Sequence, residues 1–259
     1  MNEPFSEQEN PKPFPPPQPV SQSQAVRVAM PSLVPTATYV ILGFTVLVYL
    51  LQMASMAIIG NDLPLMLGAR ATDLILEGQW WRFFTPVFLH GSVGHIFFNM
   101  YALLSLGTFL ERQFGHGRFL LLYFLGAFAG NVFSFLLTTG YSVGASTAVF
   151  GLIAAEGIFF YQNRKLFGGQ AKSAIGNAVF IIAINLFIGL SPGIDNWGHV
   201  GGLIGGAIFA WFAGPSWKVV GIYPDFHLED QRELREVMMG ASVTVLIFGA
   251  LAAWGLLKG

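Results

Sequence analysis

The chain alternates between long apolar runs and short polar or glycine-rich breaks. The runs predict seven helices, over residues 37–59, 93–111, 118–138, 145–162, 174–191, 196–213 and 240–257. Several are short for a membrane crossing, which takes roughly 20 residues, so tilted or re-entrant pieces are compatible with the pattern. Two connections stand apart. Residues 60–92 are far longer than the roughly two to eight residues that usually join helices. They are also apolar and aromatic, with Leu63-Pro64-Leu65-Met66-Leu67 and Trp80-Trp81-Arg82-Phe83-Phe84. Such a segment is expected in the membrane interface. Residues 214–239 read as a linker, and the charge run Leu228 to Glu236 within it as a solvated juxtamembrane helix. Residues 1–35 hold nine of the 14 prolines and predict a disordered or polyproline-like tail. Acidic Glu3, Glu7 and Glu9 argue against a signal peptide there. The expected class is an all-α polytopic membrane protein. It divides into a tail (1–35), a six-helix core (36–213) with an interfacial loop (60–92), a linker (214–239) and a seventh helix (240–259).

Composition strengthens this reading. Of 259 residues, 54% are hydrophobic and 10% are charged, against about 25% charged in soluble domains. Mean hydropathy is +0.59. The net charge of −1 leaves no basic footprint for nucleic acid. The absence of cysteine excludes disulfides, a thiol nucleophile and Cys-ligated zinc. No metal or cofactor is expected. Ten of the 13 Lys and Arg residues fall on the side of the N-terminus, and Arg70, Arg82 and Lys258 on the other. The positive-inside rule then puts the N-terminus in the cytoplasm and the C-terminus outside; the expected location is the plasma (inner) membrane, as an integral multi-pass protein.

Polar groups inside a span are costly and point to function. In this orientation the second, fourth and sixth helices run from outside to inside. His95 and Asn99 then share one face of the second helix, about 6 Å apart along its axis. Ser146 starts the fourth, and His199 lies in the first turn of the sixth. All four reach a similar depth. A serine needs a base, an imidazole suits that task, and a second His with an Asn can stabilise a developing oxyanion. No acid lies near His199 except Asp195, about one turn earlier in the loop, so a Ser–His dyad is favoured over a triad. Gly198, Gly202 and Gly206, beside Gly144, Ala148, Gly151 and Ala155, allow the fourth and sixth helices to touch. Each feature alone has a plainer explanation: a serine bonding its own backbone, a His or Asn joining helices, a glycine pattern found in any tight pair. Glu156, about 15 Å below Ser146 on its helix, reads as an interior structural acid.

These residues resemble the rhomboid family of intramembrane serine proteases over roughly residues 60–213. Gly144-Ala145-Ser146-Thr147 resembles its Gly-x-Ser-x nucleophile motif, and His199-Val200-Gly201-Gly202 its general-base motif. His90, His95 and Asn99 match a His-x4-His-x3-Asn pattern, and Trp81-Arg82 the Trp-Arg motif of the external loop. The resemblance implies Ser146 as nucleophile and His199 as base. It implies an oxyanion hole of His95, Asn99 and the Ser146 N–H. It makes His90, Trp81, Arg82 and Glu111 structural, and sets Phe150 against the His199 ring. Thr147 departs from the pattern, since many members carry Gly there. The seventh helix resembles the six-plus-one arrangement of part of the family. Implied partners are the bilayer and single-pass transmembrane substrates.

Two other functions stay open at this stage. A catalytically weak or inactive rhomboid-like binder of membrane proteins would draw on Thr147. A transporter would require internal repeats, and none stands out. There is no His-Glu-x-x-His zinc motif and no Asp within an apolar run, which removes the other intramembrane protease chemistries.

Overall fold

A computed structural model describes Val28 and residues 32–222 and 224–259. The Pro-rich tail expected over 1–35 lies almost wholly outside the described residues. Among these residues the long helices are α1 (Thr36–Ile59), α4 (Val93–Ala102), α5 (Thr108–Leu137), α6 (Ser146–Gln162), α8 (Gly169–Ile188), α9 (Asn196–Ala213) and α10 (Leu234–Lys258). A π-helical stretch, Leu103–Gly107, joins α4 to α5 without a break. α5 itself bends at Gly115, whose φ of 77° is a left-handed value that glycine adopts without strain. The helix expected to end near 111 therefore runs on to this bend, and the next begins directly after it.

Thr36–Ile59, Val93–Leu137, Gly169–Ile188 and Leu234–Lys258 are long and apolar enough to cross a membrane. α6 and α9, with 17 and 18 residues, are shorter and richer in Gly and Ala. They lie inside the bundle, where contact with protein replaces contact with lipid. α9 packs against α5, α6 and α10, while α1 and α8 sit at the periphery. Large apolar side chains left exposed, such as Phe97, Phe98, Tyr101, Phe180, Phe187 and Leu246, are what a lipid-facing surface requires.

The centre depends on missing side chains. A Cβ at Gly206 would overlap the backbone of Gly151, and one at Gly202 would meet the carbonyl oxygen of Thr147. The backbones of α6 and α9 thus touch directly, the packing that small residues permit in a bilayer. Thr147 turns its side chain toward Gly130 of α5 and Gly198 of α9.

The first described turn of α1 is capped from another helix. Its unpaired Ala37 and Thr38 N–H groups both donate to the Glu111 carboxylate at 2.7 Å, and the Thr38 hydroxyl adds a bond of 2.6 Å. Helix N-termini favour such a negative charge. Glu111 is fully buried, and this arrangement explains its presence there.

The segment 60–92 is folded. It contains α2 (Leu63–Gly68), β1 (Arg70–Ala71), α3 (Thr72–Leu76) and two 3-10 turns, Trp80–Phe83 and Thr85–Phe88. Asp62 caps the start of α2 by accepting from the Leu65 N–H at 3.0 Å. β1 pairs antiparallel with β2 (Tyr141–Ser142), which ties this segment to the connection leading into α6. α7 (Arg164–Phe167) follows α6.

The charge run Leu228–Glu236 corrects an expectation. It does not form one helix. β3 (Trp217–Val220) pairs with β4 (His227–Asp230) in a hairpin, and α10 starts at Leu234, before the expected residue 240. The reasons are a distant partner for Asp230 and a local cap for the helix. Asp230 binds Arg118 (2.6 Å), the Ser216 N–H (2.9 Å) and the Arg232 N–H (3.0 Å), while a Glu233/Glu236 capping box starts the helix. α10 then packs Phe248 and Ala252 into a cluster with Phe135 of α5 and Ile75 of α3, so the seventh helix supports the 60–92 segment.

Replacing Gly206 by Val is expected to cost about 3 kcal/mol, the upper end of overpacking effects, because backbone rather than a flexible side chain stands in the way. Thermal unfolding in micelles measures this. An unchanged midpoint contradicts the contact.

Candidate active site

Ser146 is the first residue of α6 and His199 lies in the first turn of α9. The α6–α9 contact below them brings the two helix starts together. The His199 Nε2 lies 3.0 Å from the Ser146 Oγ. The ring of Phe150, one turn further along α6, stacks on the His199 imidazole with centroids 4.3 Å apart and planes 8° from parallel. The His199 Nδ1 has no protein partner among the described residues. Asp195 does not reach it, because its carboxylate is committed to capping α9.

His95 approaches from α4. Its Nδ1 accepts from the Gly91 N–H at 3.5 Å, which assigns the proton to Nε2. That Nε2 packs on Gly144, where a Cβ would come within 2.7 Å of it. Gly144 also has a φ of 130°. Glycine is required there twice over, for the backbone and for the imidazole. Asn99 donates through Nδ2 to the His95 carbonyl at 2.9 Å, which leaves its second amide hydrogen free among the described residues. Ser146, at the start of α6, keeps one of the unpaired N–H groups of a helix N-terminus.

His90 is buried behind these groups, its ring 5.0 Å from that of His95. Its Nε2 accepts from the Ala145 N–H at 3.4 Å, next to Ser146. Burial, with His95 close by, pushes the imidazole down to about 3. It is therefore neutral and able to accept. Gln52 of α1 holds the His90 main chain through two bonds, Gln52 Oε1 accepting the backbone His90 N–H (3.1 Å) and Gln52 Nε2 donating to the His90 carbonyl (3.3 Å). Gln52 escaped sequence reasoning, although a lone amide in an apolar run is the kind of signal that could have found it.

Trp81 and Arg82 make their bonds within the 60–92 segment. The Trp81 Nε1 donates to the Leu67 carbonyl at 2.9 Å. Arg82 is buried and donates to the Ala69 and Met66 carbonyls at 2.5 and 2.7 Å, which satisfies the C-terminal end of α2. The same segment reaches the site through the Pro86 carbonyl, which accepts the Gly144 N–H at 2.9 Å.

Sequence reasoning also missed the partners of Asp195. Burial alone would raise this carboxyl. Hydrogen bonds from Ser134, Ser142, Thr138 and the Gly198 N–H instead hold it below the usual carboxylate range. Fully buried Arg70 stands beside it, 4.0 Å away. In the sequence Arg70 is only one of three cations on its side, and nothing local marks it as buried.

The arrangement can perform acyl transfer, and the fold defines an integral, multi-pass helical membrane protein. The Rhomboid domain family profile matches residues 77–216, more than half of the chain, so the chain belongs to the rhomboid family. It is similar to "Rhomboid protease GluP" of Bacillus subtilis, 39% identical over 173 residues, 66% of this chain and 34% of that protein. It is also similar to two Arabidopsis thaliana proteins. "RHOMBOID-like protein 9, chloroplastic" is 36% identical over 60% of this chain and 36% of its own length. "RHOMBOID-like protein 5" is 29% identical over 76% of this chain and 68% of its own length. The chain thus spans about a third of the first two relatives.

The His90 burial predicts a pH response. The folded state binds fewer protons than the unfolded chain between an unfolded value of 6.5 and a folded value of about 3. Stability is therefore full above this window and declines as pH falls through it. His90→Asn is expected to flatten the fall in Tm across the window. Equal slopes in the two proteins refute the assignment.

Proposed function

We propose that the chain is an intramembrane serine endopeptidase that hydrolyses peptide bonds of single-pass transmembrane proteins. The observation that carries this reading is the 3.0 Å approach of Ser146 Oγ to His199 Nε2 inside an apolar bundle. The description of the Bacillus relative as a protease supports it.

In this mechanism His199 Nε2 takes the Ser146 hydroxyl proton as Oγ bonds to the scissile carbonyl carbon. The carbonyl oxygen becomes an oxyanion, stabilised by the Ser146 N–H, the His95 Nε2–H and the free Asn99 amide hydrogen. His199 passes its proton to the departing amine and the peptide C–N bond breaks. Water then attacks the acyl-enzyme with His199 again as base, and Ser146 is regenerated. Phe150 holds the imidazole by stacking, and Gly144 leaves room for His95. His90, Trp81, Arg82 and Gly202 support the site without touching the reacting atoms.

The positive-inside count supports an N-terminus in the cytoplasm, a C-terminus outside and a site opening near the outer face, and the membrane in this reading is the plasma (inner) membrane. Residues 36–213 form the catalytic core in this reading, with 1–35 as a tail and 214–239 as a linker. Thr147 was the one direct support for a non-catalytic binder. Its side chain packs against the space left by Gly130 and Gly198, so it fits this bundle without any loss of the dyad.

Ser146→Ala and His199→Ala are each expected to lower cleavage of a transmembrane substrate in proteoliposomes by at least about 10³-fold while Tm stays near wild type. A fluorophosphonate should label wild-type Ser146. Undiminished turnover in either variant, or a folded wild type that neither cleaves nor labels, removes the assignment.

A further inference from the structure

Neither the dyad nor the oxyanion donors account for the buried pair Arg70 and Asp195. Arg70 lies in β1 of the 60–92 segment and has no exposed surface. A guanidinium withdrawn from water needs bonds and a counter-charge. Its Nη1 donates to Thr72 Oγ1 and to the Thr138 carbonyl, both at 3.1 Å. Its Nη2 lies 4.0 Å from Asp195 Oδ2. Asp195 Oδ1 accepts the Gly198 N–H at 3.0 Å and the Thr138 hydroxyl at 2.7 Å, and Oδ2 accepts the Ser134 hydroxyl. The Asp195 carbonyl accepts the His199 N–H at 3.3 Å. Groups from β1 and α5 thus converge on the residue that caps the turn carrying His199.

The His199 ring itself is held lightly. Nδ1 has no protein partner among the described residues, so no third side chain fixes the imidazole as an acid does in a triad. Its place depends on the Phe150 stack and on where the first turn of α9 stands. A small displacement of that turn changes the approach to Ser146 directly.

We propose that Arg70 and Asp195 are positioning residues, an ionic pair that ties the 60–92 segment to the cap of α9 and holds His199 in register with Ser146. This rests on reading Ser146 and His199 as the dyad. The pair acts through the helix cap, and neither residue contacts the reacting atoms.

The test uses the full chain in proteoliposomes with a transmembrane substrate and a Ser146→Ala control. Arg70→Met, Arg70→Lys, Asp195→Asn and the double variant Arg70→Met/Asp195→Asn are compared. Turnover is expressed per folded enzyme, and the fluorophosphonate labelling rate is followed in parallel. In Arg70→Met, kcat and labelling rate are expected to fall together by roughly 10- to 100-fold, the scale of a slightly misplaced catalytic group. KM should stay within about twofold in this reading. Arg70→Lys should recover most of the loss. The double variant should lose less than the product of the single effects, because it leaves no unpaired buried charge. A lower Tm with wild-type kcat and labelling rate overturns the proposal, since the pair would then be structural alone. If Arg70→Met does not fold, Asp195→Asn carries the same test, because its amide oxygen can still cap α9, and a wild-type kcat there overturns the proposal. Failure of the dyad reading looks different: wild type and Ser146→Ala would match each other, whatever residue stands at 70.

Discussion

The contact between the backbones of α6 and α9 sets the rest of the molecule. Gly206 lies on Gly151, and Gly202 lies on the Thr147 carbonyl. In a bilayer two helices gain little from hiding apolar surface, so shape and close approach decide which of them pair. Here the pair lies inside the bundle, with α5 and α10 against α9. Ser146 and His199 sit at the starts of these two short helices. Their distance is therefore a property of the interhelical contact more than of either residue's own loop.

The 60–92 segment follows a different rule. Buried polar groups hold it together and tie it to the bundle. Arg82 caps α2, Arg70 reaches the α9 cap, and Asn131 of α5 donates to the Phe83 carbonyl at 2.9 Å. Short irregular elements leave many backbone groups without helical partners. In an apolar setting those groups need side-chain donors or acceptors, since an unmet one is costly. Arg82 serves this need within the segment, and Arg70 serves it for the Thr138 carbonyl at the end of α5, so charged residues are buried in a segment that also exposes Trp80, Trp81 and Phe84. α10 completes the arrangement by packing against Ile75 from the side.

Much of the fold was legible in the sequence, because a bilayer crossing demands a long apolar run and the runs are plain. What escaped is informative. No local pattern announces the π-helical stretch at Leu103–Gly107, whereas the early start of α10 has one, the Glu233/Glu236 capping box. The charge run Leu228–Glu236 looked helical by composition, yet Asp230 is drawn into a hairpin by Arg118, more than a hundred positions earlier in the chain. At the site, Ser146, His199, His95 and Asn99 stood out because polar groups are rare in apolar runs. Gln52 should have stood out for the same reason. Arg70 could not, since it lies in a segment where a cation is ordinary and its neighbours Thr138 and Asp195 come from distant parts of the chain.

The sequence by itself determined that this chain is helical and membrane-embedded, which polar groups fall inside the apolar runs, and which glycines repeat at helical spacing. These are consequences of composition and period, and they hold whichever helices become neighbours. Only the tertiary structure decided that α6 and α9 meet, that His199 Nε2 faces Ser146 Oγ, and that Asp195 turns to the helix cap and Arg70 instead of the imidazole. The physical reason is that hydrogen bonds and backbone contacts act over a few ångströms, between residues that the chain separates by dozens of positions.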